Sequence, residues 1–269
     1  MPKKLWEPSK ALIKNSNLFA YEKFISKYYK YNFSRNYKKL LKWSVNNPKN
    51  FWNSIWKYFE VIGIKTNKFK LTKDLINSKF FVNSKLNFTE NLLVKNSNQK
   101  AITFVSENGY REQRSWKELN IDVKKIITFY KKISVSEKDR IAAYTPNQIE
   151  TVECFLSASA IGSIWSSCSP DFGVSGVIER FSQIKPKLLI ITDKYYYNGK
   201  EINIIERLPK ILKKIKSIKS VLILNYPGKK LRKLKKIKNV KIYYFNEIKK
   251  LEISKNKFKK FDFDHELAI

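Results

Sequence analysis

Cysteine, histidine, glycine and proline are all scarce in this 269-residue chain, which holds two, one, seven and eight of them. The cysteines, Cys154 and Cys168, stand among apolar or small residues and form no C-x-x-C pair, and the single histidine, His265, is far from both. That excludes a disulfide framework and the common zinc signatures, and it fits a reducing, cytoplasmic setting. The serine-rich stretch Ser166-Ser167-Cys168-Ser169 invites a hydrolase reading, but it has no base at hand and no G-x-S-x-G elbow occurs. Long apolar runs are missing as well. No stretch reaches the about 18 residues that a membrane helix needs, and Met1-Pro2-Lys3-Lys4-Leu5-Trp6 lacks the apolar core of a signal peptide.

Acidic residues are few: 23, against 55 Lys plus Arg, for a formal charge of +32. Arginine is also rare, being confined to Arg35, Arg111, Arg114, Arg140, Arg180, Arg207 and Arg232. Surfaces that read bases or clamp phosphates favour the planar guanidinium fork, so this excess of lysine argues against a specific nucleic-acid partner. Lys, Asn, Ile, Tyr and Phe share AT-rich codons, and compositional drift with lysines on solvated faces accounts for the charge. Nonspecific sticking to polyanions at low salt follows in either case. The run 229–238 (KKLRKLKKIK) reads as a solvated surface segment.

What is present divides in two. Residues 1–97 are rich in aromatics and lysine. Leu18, Tyr21, Ile25, Tyr28 and Tyr29 recur at helical spacing, 35–45 continues the pattern, and Phe51, Trp52, Ile55, Trp56 and Phe59 form an amphipathic stripe. This predicts a helical cap. From 98 to 269 strands and helices alternate. Strand 101–105 and a second strand leading to Trp116 flank Asn108-Gly109, a hairpin turn. Ser115 to Glu118 is a capping box for a helix to about Ile133. Strand 140–144, helix 148–160, strand 163–167, helix 175–184 and strand 187–192 follow, then helix 203–216, strands 220–224 and 240–245, and a short helix over 246–251. The expected fold class is α/β: a helix-covered, mostly parallel sheet preceded by a helical N-terminal cap. Ligands would then bind beyond the carboxyl ends of the strands, at 145–147, 168–173 and 193–200.

Segment 159–173 (SAIGSIWSSCSPDFG), extending through 174–186, resembles acetoacetyl-CoA synthetases, which belong to the adenylate-forming acyl-CoA synthetase superfamily and are related to acetyl-CoA synthetases. Leu5-Trp6, Phe51-Trp52, 86–93 (LNFTENLL), 139–150 (DRIAAYTPNQIE) and 193–200 (DKYYYNGK) support the match. The chain departs from the family at Ser136-Glu137-Lys138, where the family usually turns on Gly, and it is looser before Leu86.

The resemblance implies that 98–269 is an incomplete N-terminal subdomain of an AMP-binding domain, within a ligase that joins acetoacetate to CoA using ATP and Mg²⁺. It implies that Tyr197, Asn198, Gly199 and Lys200 approach the phosphorylated end of CoA, Lys200 as a point charge; a plain turn with an exposed lysine is the alternative. It implies that Trp165, Ser166, Ser167, Cys168, Ser169, Pro170, Asp171, Phe172 and Gly173 border a substrate or CoA channel, with an Asp171–Arg180 ion pair as the plainer role. The family's Ser/Thr/Gly-rich phosphate loop occurs nowhere in these residues, so neither a catalytic residue nor a metal ligand is assigned. The chain is expected to be an N-terminal fragment, inactive alone, with a complementing downstream chain as partner and no membrane partner. The rival reading is a non-catalytic basic α/β module that binds CoA or nucleic acid.

Overall fold

Short polar side chains start the first helices. Ser9, Ser16 and Asn36 each accept a backbone N–H from the opening turn of α1 (Lys10–Lys14), α2 (Asn17–Tyr29) and α3 (Tyr37–Asn46), which satisfies a donor that the helix itself leaves free. Pro48 opens α4 (Pro48–Tyr58), at a position where no N–H is needed. Tyr21, Ile25, Phe33, Leu40 and Trp43 form the core of this region, with the Trp43 ring edge-on to Phe33 at 5.7 Å and to Phe51 at 6.4 Å. A two-residue strand, β1 (Gly63–Ile64), and a 3-10 turn, Leu75–Asn77, follow.

The computed structural model describes residues 5–227, 234, 237–253 and 257–269. They form two compact units, one ending at Ser84 and one covering Lys85–Ile269. The change of composition at residue 97 lies later than this division because the stretch after Ser84 is bonded to later residues. Asn87 Nδ2 donates to Ala160 O at 3.0 Å and Lys259 O at 2.8 Å, and Thr89 Oγ1 donates to Leu156 O at 2.6 Å.

The second unit opens with β2 (Lys85–Leu86), α5 (Phe88–Leu92) and the hairpin β3 (Lys100–Val105) with β4 (Arg111–Ser115). The Ser115–Glu118 capping box is present and starts α6 (Trp116–Lys132). Then come β5 (Arg140–Tyr144), α7 (Ile149–Ala160), β6 (Ile164–Cys168), α8 (Val174–Ile184) and β7 (Leu188–Thr192). Two short strands, β8 (Lys194–Tyr197) and β9 (Lys200–Asn203), precede α9 (Leu208–Lys214), β10 (Ser220–Leu224), β11 (Lys241–Tyr244), α10 (Phe245–Ile248) and β12 (Phe261–Asp262).

Five strands make a parallel sheet in the order β11-β10-β7-β5-β6. Strand side chains alternate between faces, and the core divides accordingly. Ala142, Tyr144, Leu189, Ile191, Val221 and Ile223 pack with α8 and α9, whereas Ile141, Ala143, Leu188, Ile190, Leu222 and Leu224 pack with α6, α7 and α10. Both faces being covered explains why these strands read as unbroken apolar runs. At the β6 edge, Trp165 N donates to Leu267 O at 3.0 Å and Ile269 N to Trp165 O at 2.9 Å, so the last residues run parallel beside β6.

Two expectations need correction. The segment 193–200 is the larger part of a β-hairpin rather than a loop. The helix expected over 203–216 is a 3-10 turn, Ile205–Arg207, leading into the shorter α9, because β9 extends to Asn203. Most of the run 229–238 lies outside the described residues. No helix among the described residues is long and apolar enough to cross a membrane.

Candidate functional site at the strand tips

The carboxyl ends of β5, β6 and β7 bring together the loop after β6, the hairpin β8–β9 and the turn before α9. Within the loop region, Trp165 is buried edge-on to Phe155 at 5.8 Å, Cys168 and Pro170 are buried, and Ser167, Ser169, Asp171, Phe172 and Gly173 are exposed, with Ser166 between. Trp165 is therefore part of the core, and the loop surface belongs to the residues after it. Burial pushes the Cys168 thiol up to about 12, so it stays protonated near neutrality and is a poor nucleophile.

Tyr144 and Arg207 pin this loop from beneath. The buried Tyr144 hydroxyl lies 3.0 Å from Pro170 O and 2.5 Å from Phe172 O, and burial raises its pKa. Arg207 Nη1 donates to the same hydroxyl, to Pro170 O at 3.1 Å and to Phe172 O at 3.0 Å. Above, Asp171 accepts from Tyr195 OH at 2.6 Å and Ser169 Oγ at 2.7 Å, and these two bonds hold its carboxyl below the usual range. Arg180 lies over the Phe172 ring at 4.0 Å and donates to Gly176 O. The Asp171–Arg180 ion pair weighed above is not among the described ion pairs. Arg207 carried no sequence signal, since its contacts span 35 and 37 residues.

The hairpin turn Asn198-Gly199 has φ of 50° and 72°, the double left-handed geometry of a two-residue hairpin loop. Tyr197 and Lys200 face each other across it and are exposed. Gly199 N–H donates to Glu107 Oε2 at 3.2 Å, so that donor is engaged by a carboxylate. Lys194, by contrast, is buried against Glu201 at 2.8 Å, where Tyr196 OH also donates. Lys200 is thus the cation of this turn that no described carboxylate pairs.

Beneath the hairpin, Asp193 accepts from Tyr226 N at 2.7 Å and Lys194 N at 3.0 Å, and burial raises its pKa. Thr192 Oγ1 meets Gln148 Oε1 at 3.2 Å, and Gln148 Nε2 donates to Glu150 at 3.1 Å. This chain of contacts leads inward to Arg114, which faces Glu112, Asp122, Glu150 and Glu153. No group of three or more His, Cys, Asp or Glu suited to a metal ion occurs among the described residues.

Residues 91–256 match the model of the AMP-binding enzyme family, and residues 37–92 match that of the acetyl-coenzyme A synthetase N-terminus. The chain is 33% identical over 225 residues to an acetoacetyl-coenzyme A synthetase of Rhizobium meliloti, covering 83% of this chain and 34% of that protein. It is 37% identical over 198 residues to an acetoacetyl-CoA synthetase of Gallus gallus, covering 71% and 29%. The solved acetoacetyl-CoA synthetase from Streptomyces lividans has the same fold over 99% of this chain and 41% of its own, with a TM-score of 0.88 at 22% identity. The chain spans about a third of the length of the curated relatives it matches.

Proposed function

Because this chain belongs to the AMP-binding enzyme family, we propose that its residues form the CoA-side wall of an acetoacetate–CoA ligase. In that reaction the acetoacetate carboxylate attacks the α-phosphorus of ATP and diphosphate leaves. The CoA thiol then displaces AMP from the acyl carbon, giving acetoacetyl-CoA. The observation that carries the reading is the 37% identity over 198 residues to an acetoacetyl-CoA synthetase. The pinned loop 166–173 supports it as a channel border, since Tyr144, Arg207 and Tyr195 hold it in one shape and leave its outer face open. Preorganisation of this kind is what positioning a thiol requires.

At the hairpin, the Lys200 ammonium is the group proposed to meet a CoA phosphate. Glu107 occupies the neighbouring Gly199 N–H and would weaken backbone contact to the same anion. Mg²⁺ and the ATP phosphates fall to groups outside these residues, because no Ser/Thr/Gly-rich phosphate loop occurs among the seven-glycine complement of the 269. A complementing chain that carries such a loop would be the partner, in a cytoplasm where Cys154 and Cys168 stay free.

Two measurements test this. Purified chain given acetoacetate, ATP and Mg²⁺ is expected to release no diphosphate above the blank; turnover would refute the division of labour. CoA titration is expected to show binding that Lys200→Gln weakens by about tenfold, the loss of one charge-assisted contact. An oligonucleotide that competes undiminished at about 200 mM salt would instead favour the non-catalytic nucleic-acid module.

A further inference from the structure

A cavity lies at the end of the sheet away from the strand tips, beside the amino ends of β5 and β6. It has a volume of about 350 Å³ and opens between the second half of α6, the end of α7 and the segment 257–261. Ile127, Val135, Ile161, Phe258 and Phe261 give it an apolar lining. The wall is built firmly. Phe261 pairs with Leu86 in an antiparallel strand contact and stacks on His265 at 4.8 Å, and the His265 ring meets Gly162 O at 2.9 Å. The Asn87 side chain holds the backbone at Lys259.

Four lysines line the same cavity, namely Lys124, Lys131, Lys257 and Lys259, against one acid, Glu137. Glu137 is already paired with Lys259 at 2.5 Å, which holds its carboxyl below the usual range. No described carboxylate pairs with Lys124, Lys131 or Lys257, and Lys124 is half-buried. A hollow of this size suits a small ligand. Its apolar walls would take a hydrocarbon chain, and its unmatched ammonium groups would take a negative head.

We propose that this cavity binds an amphipathic monoanion, a medium-chain carboxylate, with its chain between Ile127, Ile161 and Phe258 and its head between Lys124 and Lys131. The site shares no residue with the loop 166–173 or the hairpin β8–β9 and does not depend on the ligase reading. Neither end of such a ligand suffices alone. Acetate would lack the tail, and an alcohol of equal length would lack the charge.

Calorimetric titration of the full chain with octanoate, 1-octanol and acetate tests this. Octanoate is expected to bind at one site, about tenfold more tightly than octanol, with acetate showing no saturable binding. Lys124→Gln and Lys131→Gln, both lining the cavity from α6, are each expected to lower octanoate affinity by about tenfold. Lys213→Gln on α9 should leave it unchanged, and thermal midpoints report that each variant is folded. Equal binding of octanol or acetate, or octanoate affinity unmoved in both α6 variants, would overturn the proposal. So would a chain that binds vesicles of anionic phospholipid but not monomeric octanoate, since that outcome reduces the effect to bulk charge.

Discussion

Glu153 is fully buried on α7, and neither of its carboxylate oxygens accepts a hydrogen bond from any described residue. Arg114 Nε is 3.3 Å away, but the same arginine also faces Glu112, Asp122 and Glu150. Burial first, then the charges of Asp122 and Glu150, push Glu153 up to about 8, outweighing Arg114 and Lys249. The sign of the consequence is fixed by linkage. Between the ordinary carboxylate range and about pH 8 the folded chain holds a proton that the unfolded chain has released, so stability falls as pH rises through that window and levels off above it. Glu153→Gln keeps the shape without the titration. Its urea midpoint is expected to change less than the parent's between pH 6 and pH 9, and to be at least equal to the parent's at pH 9. A parent-like loss in the variant would assign the pH dependence to other groups, with Asp193 and Glu150, both raised by burial, as the next candidates.

At the scale of elements, two glycines separate backbone strain from crowding. Gly162 and Gly199 share a φ of 72°, yet a Cβ at Gly199 meets nothing within 4 Å, whereas one at Gly162 lies 2.6 Å from the Phe261 ring. Gly199→Ala is therefore expected to cost about 1–2 kcal/mol, the left-handed penalty alone. Gly162→Ala should cost more, because the Phe261 ring must also move and loosen its stacking on His265. Chemical denaturation of both variants checks the order.

The same elements show why some of the fold is legible and some is not. The strands 140–144 and 220–224 are read to the residue because their sheet is covered on both faces, so each is an apolar run with clear ends. The hairpin β8–β9 carries the same Asn-Gly signal as the one at 108–109. Its strands lack the alternating apolar pattern, since buried Lys194 and Tyr195 precede the exposed Tyr197, Lys200 and Glu201. The loop 165–173 is legible as a resemblance, but the groups that shape it are not. Arg207 meets Pro170 and Phe172 only after the chain has crossed α8, β7 and the hairpin, and no local pattern encodes such a contact.

For the whole molecule the charge of +32 understates the positive field at the surface. Glu112, Asp122, Glu150 and Glu153 gather round one buried arginine. The carboxylates left to offset the surface lysines are fewer than the count of 23 suggests. Lysine ammoniums act as point charges without the bidentate fork that reads bases, so attraction to polyanions should be strong, indifferent to sequence and steep in salt. Binding to mixed-sequence duplex DNA is expected to fall by about a thousandfold or more between about 50 and 200 mM salt, as for a protein neutralising several phosphates. Heparin should compete as well as DNA. Fluorescence anisotropy across that salt range checks both. Retention at the upper salt, or a preference among sequences, would mean that the lysines are organised into a nucleic-acid site rather than dispersed over solvated faces.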